Sequence, residues 1–444
     1  MGVGIVRFGQ RVILRAARRW VVGLAIAVAG VSGTSAWGQL PYEGPPIDYL
    51  EAPVDDPVAR LQRRLDRGEE GLGYDERLGY LPAVLEQLGV SETSQVLVFS
   101  KTSFQHTRIS PRSPRALYFG DDAYVGWVRD GDVLEISAVD PQQGAVYYLL
   151  DQRRSARPTF ERQTYDCLSC HASGRTQGVP GHLVRSVFAG PDGQPAYNAG
   201  TFVTDHTSPM EERWGGWYVT GTHGDQQHMG NVFVRDRRDP ERLDTSAGAN
   251  VTDLSGRFAS SSYLTGHSDI VALMVLEHQT QMHNRITAAG YQARLALHHE
   301  AGINEALGRP AGSMSDSTRR RIEGPAEELL RYMLFVGEAE LTSPVAGTSG
   351  FAEHFASTGR RDRRGRSLRD LDLETRLFRY PCSYLIHSEA FDALPLQVKD
   401  HVERRLHEVL TSADQAPEFD HLSPGDRRAI LEILRDTRVD PPSG

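Results

Sequence analysis

The hydrophobic rhythm of this chain changes part-way along. Short runs of β-branched and aromatic residues recur first: VLVFS from Val96, ALYF from Ala116, YVGWV from Tyr124, VLEISAV from Val133 and AVYYLL from Ala145. Gly, Asp or Pro separates them, a spacing that predicts a mostly antiparallel sheet. Further strands are expected at HLVRSVFA from His182, WYVTG from Trp217 and NVFVR from Asn231, and two short helices precede the sheet at residues 58–67 and 80–88. Beyond Ser268 the apolar positions return every three to four residues. Ser268 and Asp269 supply capping side chains for a long helix to about Glu300, and further helices are expected over 317–340, 396–410 and 425–437. The stretch TSPVAGTSGFAEHFASTGRRDRRGR has neither period and reads as a mobile loop. The expected class is α+β, with a β-rich half, residues 39–250, packed against a helical half, residues 251–444.

The N-terminus has a separate character. Five arginines up to Arg19 precede the apolar run WVVGLAIAVAG and then small residues through Ala36, the pattern of a secretory signal peptide over residues 1–38. Cleavage is expected after Ala36 or Gly38. The apolar run is too short for a stable membrane span, and no later segment reaches the length a span requires. The expected location is therefore periplasmic or secreted, with no integral membrane segment in the mature chain. Because residues 1–39 hold five arginines and no acid, the remainder is five charges more acidic than the −9 of the whole chain. Such a surface argues against nucleic-acid binding and favours a basic protein partner.

The candidate chemistry sits between the predicted strands. YDCLSCHASG, residues 165–174, places Cys167 and Cys170 two residues apart with His171 directly behind, while the whole chain has three cysteines. Two thiols one short turn apart can each bond a vinyl group at one edge of a porphyrin, and the next residue is then carried under the ring to bind iron. The motif predicts one covalent haem c, with Cys167 and Cys170 as thioether anchors and His171 as proximal ligand. Two alternatives stay open. A structural zinc site would draw on a further cysteine or histidine pair, and a Cys167–Cys170 disulfide would leave His171 without a role. Cys382 reads as a small buried apolar residue.

The sixth iron position decides between electron carriage and catalysis. The distal candidates are His206, His223, His228 and Met229, in loops flanking the strand at Trp217. On the long helix, Met274, His278, Met282 and Ile286 form a stripe expected to pack against the sheet, with His283 pointing elsewhere. His298 and His299 are placed near that helix's negative end. Asp121 and Asp122 are expected to shape a turn. No phosphate loop, dinucleotide-binding glycine pattern or nucleophile elbow occurs.

The run CLSCHASGRTQGVPGHLVRSV, with FGDDAYVGWVRDGDVLEISAVDPQQGAVYYLLDQ before it and ERWGGWYVTGTHGDQQHMGN after it, resembles a family of exported bacterial proteins described as cytochrome c domain-containing. RYPCSYLIHSEAFDALP near the C-terminus shares that likeness. The resemblance implies haem attachment at Cys167, Cys170 and His171 and assigns no reaction. The expected function is electron transfer by a periplasmic monohaem c-type cytochrome. The alternatives are a haem-dependent oxidoreductase of peroxidase type, for which a chain of 444 residues gives room, and a haem-based sensor.

Overall fold

The computed structural model describes residues 42–236 and 238–438; the predicted signal peptide lies outside the described residues. Helix α1 (Pro57–Asp66) starts where Asp56 accepts from the Val58 and Ala59 amides at 2.8 and 3.0 Å and Pro57 presets the first turn. Its cap is also a tertiary tie, because the Tyr148 hydroxyl donates to Asp56 Oδ2 at 2.5 Å. Helix α2 (Leu81–Gln87) follows.

Six strands then run as an antiparallel meander: β1 (Val96–Val98), β2 (Arg115–Phe119), β3 (Ala123–Val128), β4 (Val133–Asp140), β5 (Gly144–Asp151) and β6 (Phe160–Gln163). The one-turn helix α3 (Leu168–His171) carries the cysteine motif. It leads to the two-stranded ribbon β7 (Val184–Val187) and β8 (Thr201–Thr204). Strand β9 (Trp217–Tyr218) returns to the main sheet beside β1, giving the order β6-β5-β4-β3-β2-β1-β9. The expected strand at NVFVR does not form. Asn231 sits at φ 67°, and its side chain bonds the Val219 amide and carbonyl and the Gly248 carbonyl, so that the segment is tied by these and by isolated backbone bonds to Trp217 and Ala189 rather than by a ladder.

Alternation divides the sheet into two buried faces. Leu97, Tyr118, Val125, Ile136 and Tyr148 pack against Val58, Leu61, Leu81 and Val84 of α1 and α2. Val96, Val98, Phe119, Tyr124 and Val139 turn the other way, into a core shared with α4 (Ile270–Leu307). This 38-residue helix starts at Asp269, whose carboxylate accepts from the Val271 and Ala272 amides at 2.8 and 3.1 Å. The same carboxylate takes the Thr348 and Ser349 amides at 2.6 and 2.9 Å. Far from a mobile loop, the stretch around these residues forms α6 (Phe351–Ser357), and Phe351 and Phe355 are buried. Arg363 ties its far end to Asp436 at 2.7 Å.

Helices α5 (Asp316–Met333), α7 (Glu389–Asp392), α8 (Leu396–Leu410) and α9 (Pro424–Thr437) complete the fold, which is α+β as expected. Helix α4 is therefore covered by the sheet on one side and helices on the other. Gln279 and His283 face the sheet, bonding the Gly120 and Asp121 carbonyls at 2.7 and 2.9 Å. His278, expected on the sheet-facing stripe, instead stacks on Tyr332 and Phe335. The helix continues to Leu307, so His298 and His299 lie more than two turns before its end, and both are exposed. Cys382 is fully buried, and burial pushes its thiol up to about 12. Among the described residues no helix is long and apolar enough to cross a membrane.

Candidate haem-attachment site

Cys167 caps α3 and Cys170 and His171 belong to its single turn, closed by the amides of Cys170 and His171 on the Cys167 carbonyl at 3.2 and 3.0 Å. Both cysteines are free; Cys167 is half-buried and Cys170 exposed. Burial, then the charges of Glu135 and Asp166, push the Cys167 thiol up to about 11. Leu168 anchors the turn by burying itself with Tyr49, Tyr147, Val179 and Tyr291.

The imidazole of His171 is oriented from behind. Its Nδ1 lies 3.1 Å from the Gly181 carbonyl. A carbonyl only accepts, so Nδ1 carries the proton and Nε2 keeps its lone pair. Metal-bound histidines are commonly arranged this way, with one nitrogen donated to a backbone carbonyl and the other left for the metal. Burial lowers the basicity of His171, and the Arg115 and Arg185 guanidiniums act in the same direction, which favours the neutral, ligating form.

Gly181 and the residue after it are held by four elements. The Tyr147 hydroxyl of β5 donates to its carbonyl at 2.5 Å, and the Tyr147 ring lies 5.1 Å from that of His171. The next residue, His182, bonds Ser137 of β4 at 2.8 Å, and its ring lies tilted 4.2 Å from that of Tyr124 of β3. From α4, Asn284 clamps the His182 backbone: Oδ1 accepts its amide at 2.9 Å and Nδ2 donates to its carbonyl at 2.6 Å. Gly181 must be glycine for this clamp, because a Cβ there would meet Asn284 Oδ1 at 2.2 Å.

The sheet beside the motif is incompletely covered. Tyr124, Ser137 and Tyr147 form one cross-strand row under His182 and His171; Leu117, Gly126, Glu135 and Leu149 form the next. Leu117, Glu135 and Leu149 are only half-buried although they sit mid-sheet. Tyr165, two residues before Cys167, is 74% exposed, and Tyr197 is 79% exposed. Large apolar side chains left bare around two free thiols and a half-buried imidazole fit a flat apolar group attached there. Cys167 and Cys170 would hold a haem c covalently, and His171 would ligate its iron.

Each distal candidate is buried and has one polar atom engaged with another group, while His206 Nε2 and His223 Nδ1 are buried without a partner. His206 is buried; its Nδ1 lies 2.8 Å from His278 Nδ1, and its ring stacks on Tyr332 and Phe335. His223 Nε2 accepts the Asn250 amide at 2.9 Å. His228 Nδ1 accepts the Gly230 amide at 3.0 Å and its ring packs edge-on against Trp214. Met229 is 4% exposed, with Ser186 Oγ 3.6 Å from its sulfur. Ser186, which Met229 contacts, lies on β7, the strand that follows the motif.

Among the described residues, no three His, Cys, Asp or Glu side chains assemble in metal-binding geometry. Comparison with known proteins returns no match, whether to a family model, a curated protein or a solved structure. The motif spacing points to Cys167, Cys170 and His171 and carries no signal of Tyr147, Gly181, His182 and Asn284, which orient the imidazole. The Pro180–Gly181 pair is the one local signal that the backbone approaches something closely there.

Proposed function

We propose that this chain is an exported monohaem c-type cytochrome, with Cys167 and Cys170 bonded to one haem and His171 on the iron. The observation that carries the reading is the His171 Nδ1 bond to the Gly181 carbonyl at 3.1 Å, which fixes the tautomer and frees Nε2 beside two free thiols. When bound, haem c supplies one-electron exchange between ferric and ferrous iron. The protein's part is to hold the imidazole through Gly181, Tyr147 and Asn284 and to cover one side of the site with the sheet. An acidic chain suits a basic electron partner, which favours productive encounter at low salt.

The test is production of the full chain in a host that attaches haem to exported proteins. The mature protein is expected to be coloured, to give a positive pyridine haemochrome, and to exceed the polypeptide mass by one haem. Cys167→Ala together with Cys170→Ala removes both signals. A colourless wild-type product at the bare-chain mass refutes the proposal.

One observation favours a second reading, a haem enzyme or ligand sensor. His206, His223, His228 and Met229 are each buried and engaged with other groups, which supports an iron whose sixth position takes an external ligand. A high-spin ferric spectrum that changes on adding cyanide or peroxide supports this reading. A low-spin spectrum indifferent to both returns the protein to electron carriage.

A further inference from the structure

Two guanidinium groups act on the His171 imidazole, and they differ in one respect. Arg115 lies across Gly126, where a Cβ would meet its Nη2 at 2.4 Å, and pairs with Glu135 at 2.8 Å. Gln105 holds the same carboxylate at 3.1 Å. The charge of Arg115 is therefore balanced inside the protein. Arg185, on β7 opposite Val203, is half-buried and makes no ion pair among the described residues. Its Nε is buried without a hydrogen-bond partner. Burial, then the like charge of Arg175, hold its pKa below the usual arginine value, while Cys170 and Tyr197 act the other way. A partly desolvated cation with an orphaned donor is costly to keep, and an anion in hydrogen-bond reach removes that cost.

We propose that Arg185 is the carboxylate-binding residue of the haem site: the propionate side chains of the covalent haem supply the anion that this unpaired, half-buried guanidinium lacks. The inference rests on the covalent-haem reading and adds a residue to it. Arg185 is placed for the task by topology. The chain runs from His171 through Gly181 and His182 directly into β7, and the Trp217 indole donates to the Arg185 carbonyl at 2.7 Å, fixing the backbone from which the side chain projects. Arg185 then positions the cofactor and sets its redox balance, because a cation beside it favours the ferrous state.

The experiment is an equilibrium redox titration of the full haem-bearing chain as wild type, Arg185→Gln and Arg185→Lys. Removing the cation from the propionates is expected to shift the one-electron equilibrium about tenfold toward ferric iron in R185Q, about 59 mV lower in potential. R185K, which keeps the charge, is expected to stay closer to wild type. A shift in R185Q of less than about twofold overturns the proposal. A free carboxylate bound at the same place is told apart by repeating the wild-type titration in sodium acetate at constant ionic strength. A potential that tracks acetate assigns Arg185 to an external anion and overturns the propionate assignment. If R185Q fails to accumulate, the propionate bending band in resonance Raman spectra of R185K decides: displacement from the wild-type position supports the contact and coincidence overturns it. A wild-type preparation without covalent haem fails the parent reading before any titration begins.

Discussion

Asn284 is the point where the long helix grips the backbone beside Gly181, the residue that orients His171, so its truncation is the sharpest test of how the site is held. Asn284→Ala deletes two bonds to the His182 backbone, at 2.9 and 2.6 Å, in a place where Asn284 and His182 are 1% and 6% exposed. Water does not replace them. The His182 amide and carbonyl are left buried without partners, and each such group costs about 1–3 kcal/mol, or about 2–6 kcal/mol together. Domains are stable by about 5–15 kcal/mol, so the loss takes a large share. Urea unfolding followed by tryptophan fluorescence measures it. Asn284→Leu separates the causes, because it fills most of the volume without restoring either bond and is expected to lose nearly as much. A loss below about 1 kcal/mol in N284A, or recovery in N284L, refutes the claim that these two bonds hold the backbone leading into β7 to α4.

Gly181→Ala attacks the same clamp from the other side: its Cβ would meet Asn284 Oδ1 at 2.2 Å, and overpacking of this kind costs about 1–3 kcal/mol. Reduced haem incorporation measured by haemochrome is the expected result, and normal incorporation with unchanged stability counts against it. Arg213 and Glu277 form a buried pair at 3.1 Å with side chains 4% and 0% exposed. Arg213→Met leaves the carboxyl unpaired and is expected to cost about 3–5 kcal/mol in urea unfolding, while a change near zero contradicts the pairing. Acid lability follows from the histidines. Burial lowers the pKa of His182, His206, His223, His228, His278, His283 and His387, with His228 and His278 pushed to about 3. The unfolded chain takes protons at these sites below about pH 6.5 that the native state refuses, so their stability is present above that pH and is lost as pH falls. Burial raises Asp122, Glu277 and Glu338 to about 7 and raises Asp56, which opposes the trend, but these acids are fewer. A urea midpoint lower at pH 5 than at pH 7 is expected, and an equal or higher one refutes the balance.

The meander was legible because its strands are short runs of β-branched and aromatic residues with Gly, Asp or Pro between them. Strands β6 and β8 were not, since FERQ and TFVT are short and largely polar, and their pairing is set by neighbours rather than by their own pattern. NVFVR has a strand's composition, yet the left-handed Asn231 breaks it. The loop around Phe351 looked mobile because what orders it, the Asp269 carboxylate, lies 80 residues away along the chain. The site divides in the same way. Cys167, Cys170 and His171 are contiguous and carry their chemistry in their spacing. Tyr147, Gly181, Asn284 and Arg185 come from β5, the loop after α3, α4 and β7, and only tertiary packing brings them together.

The order of the elements has a temporal consequence. Strands β1 to β6 pair with their immediate neighbours, so a chain emerging N-terminus first can complete most of its meander early. The two thiols follow at once, whereas the helix whose asparagine fastens the adjoining backbone appears about a hundred residues later. Between those moments the two sulfurs stand on a half-built scaffold. The late helix then fastens the backbone behind them.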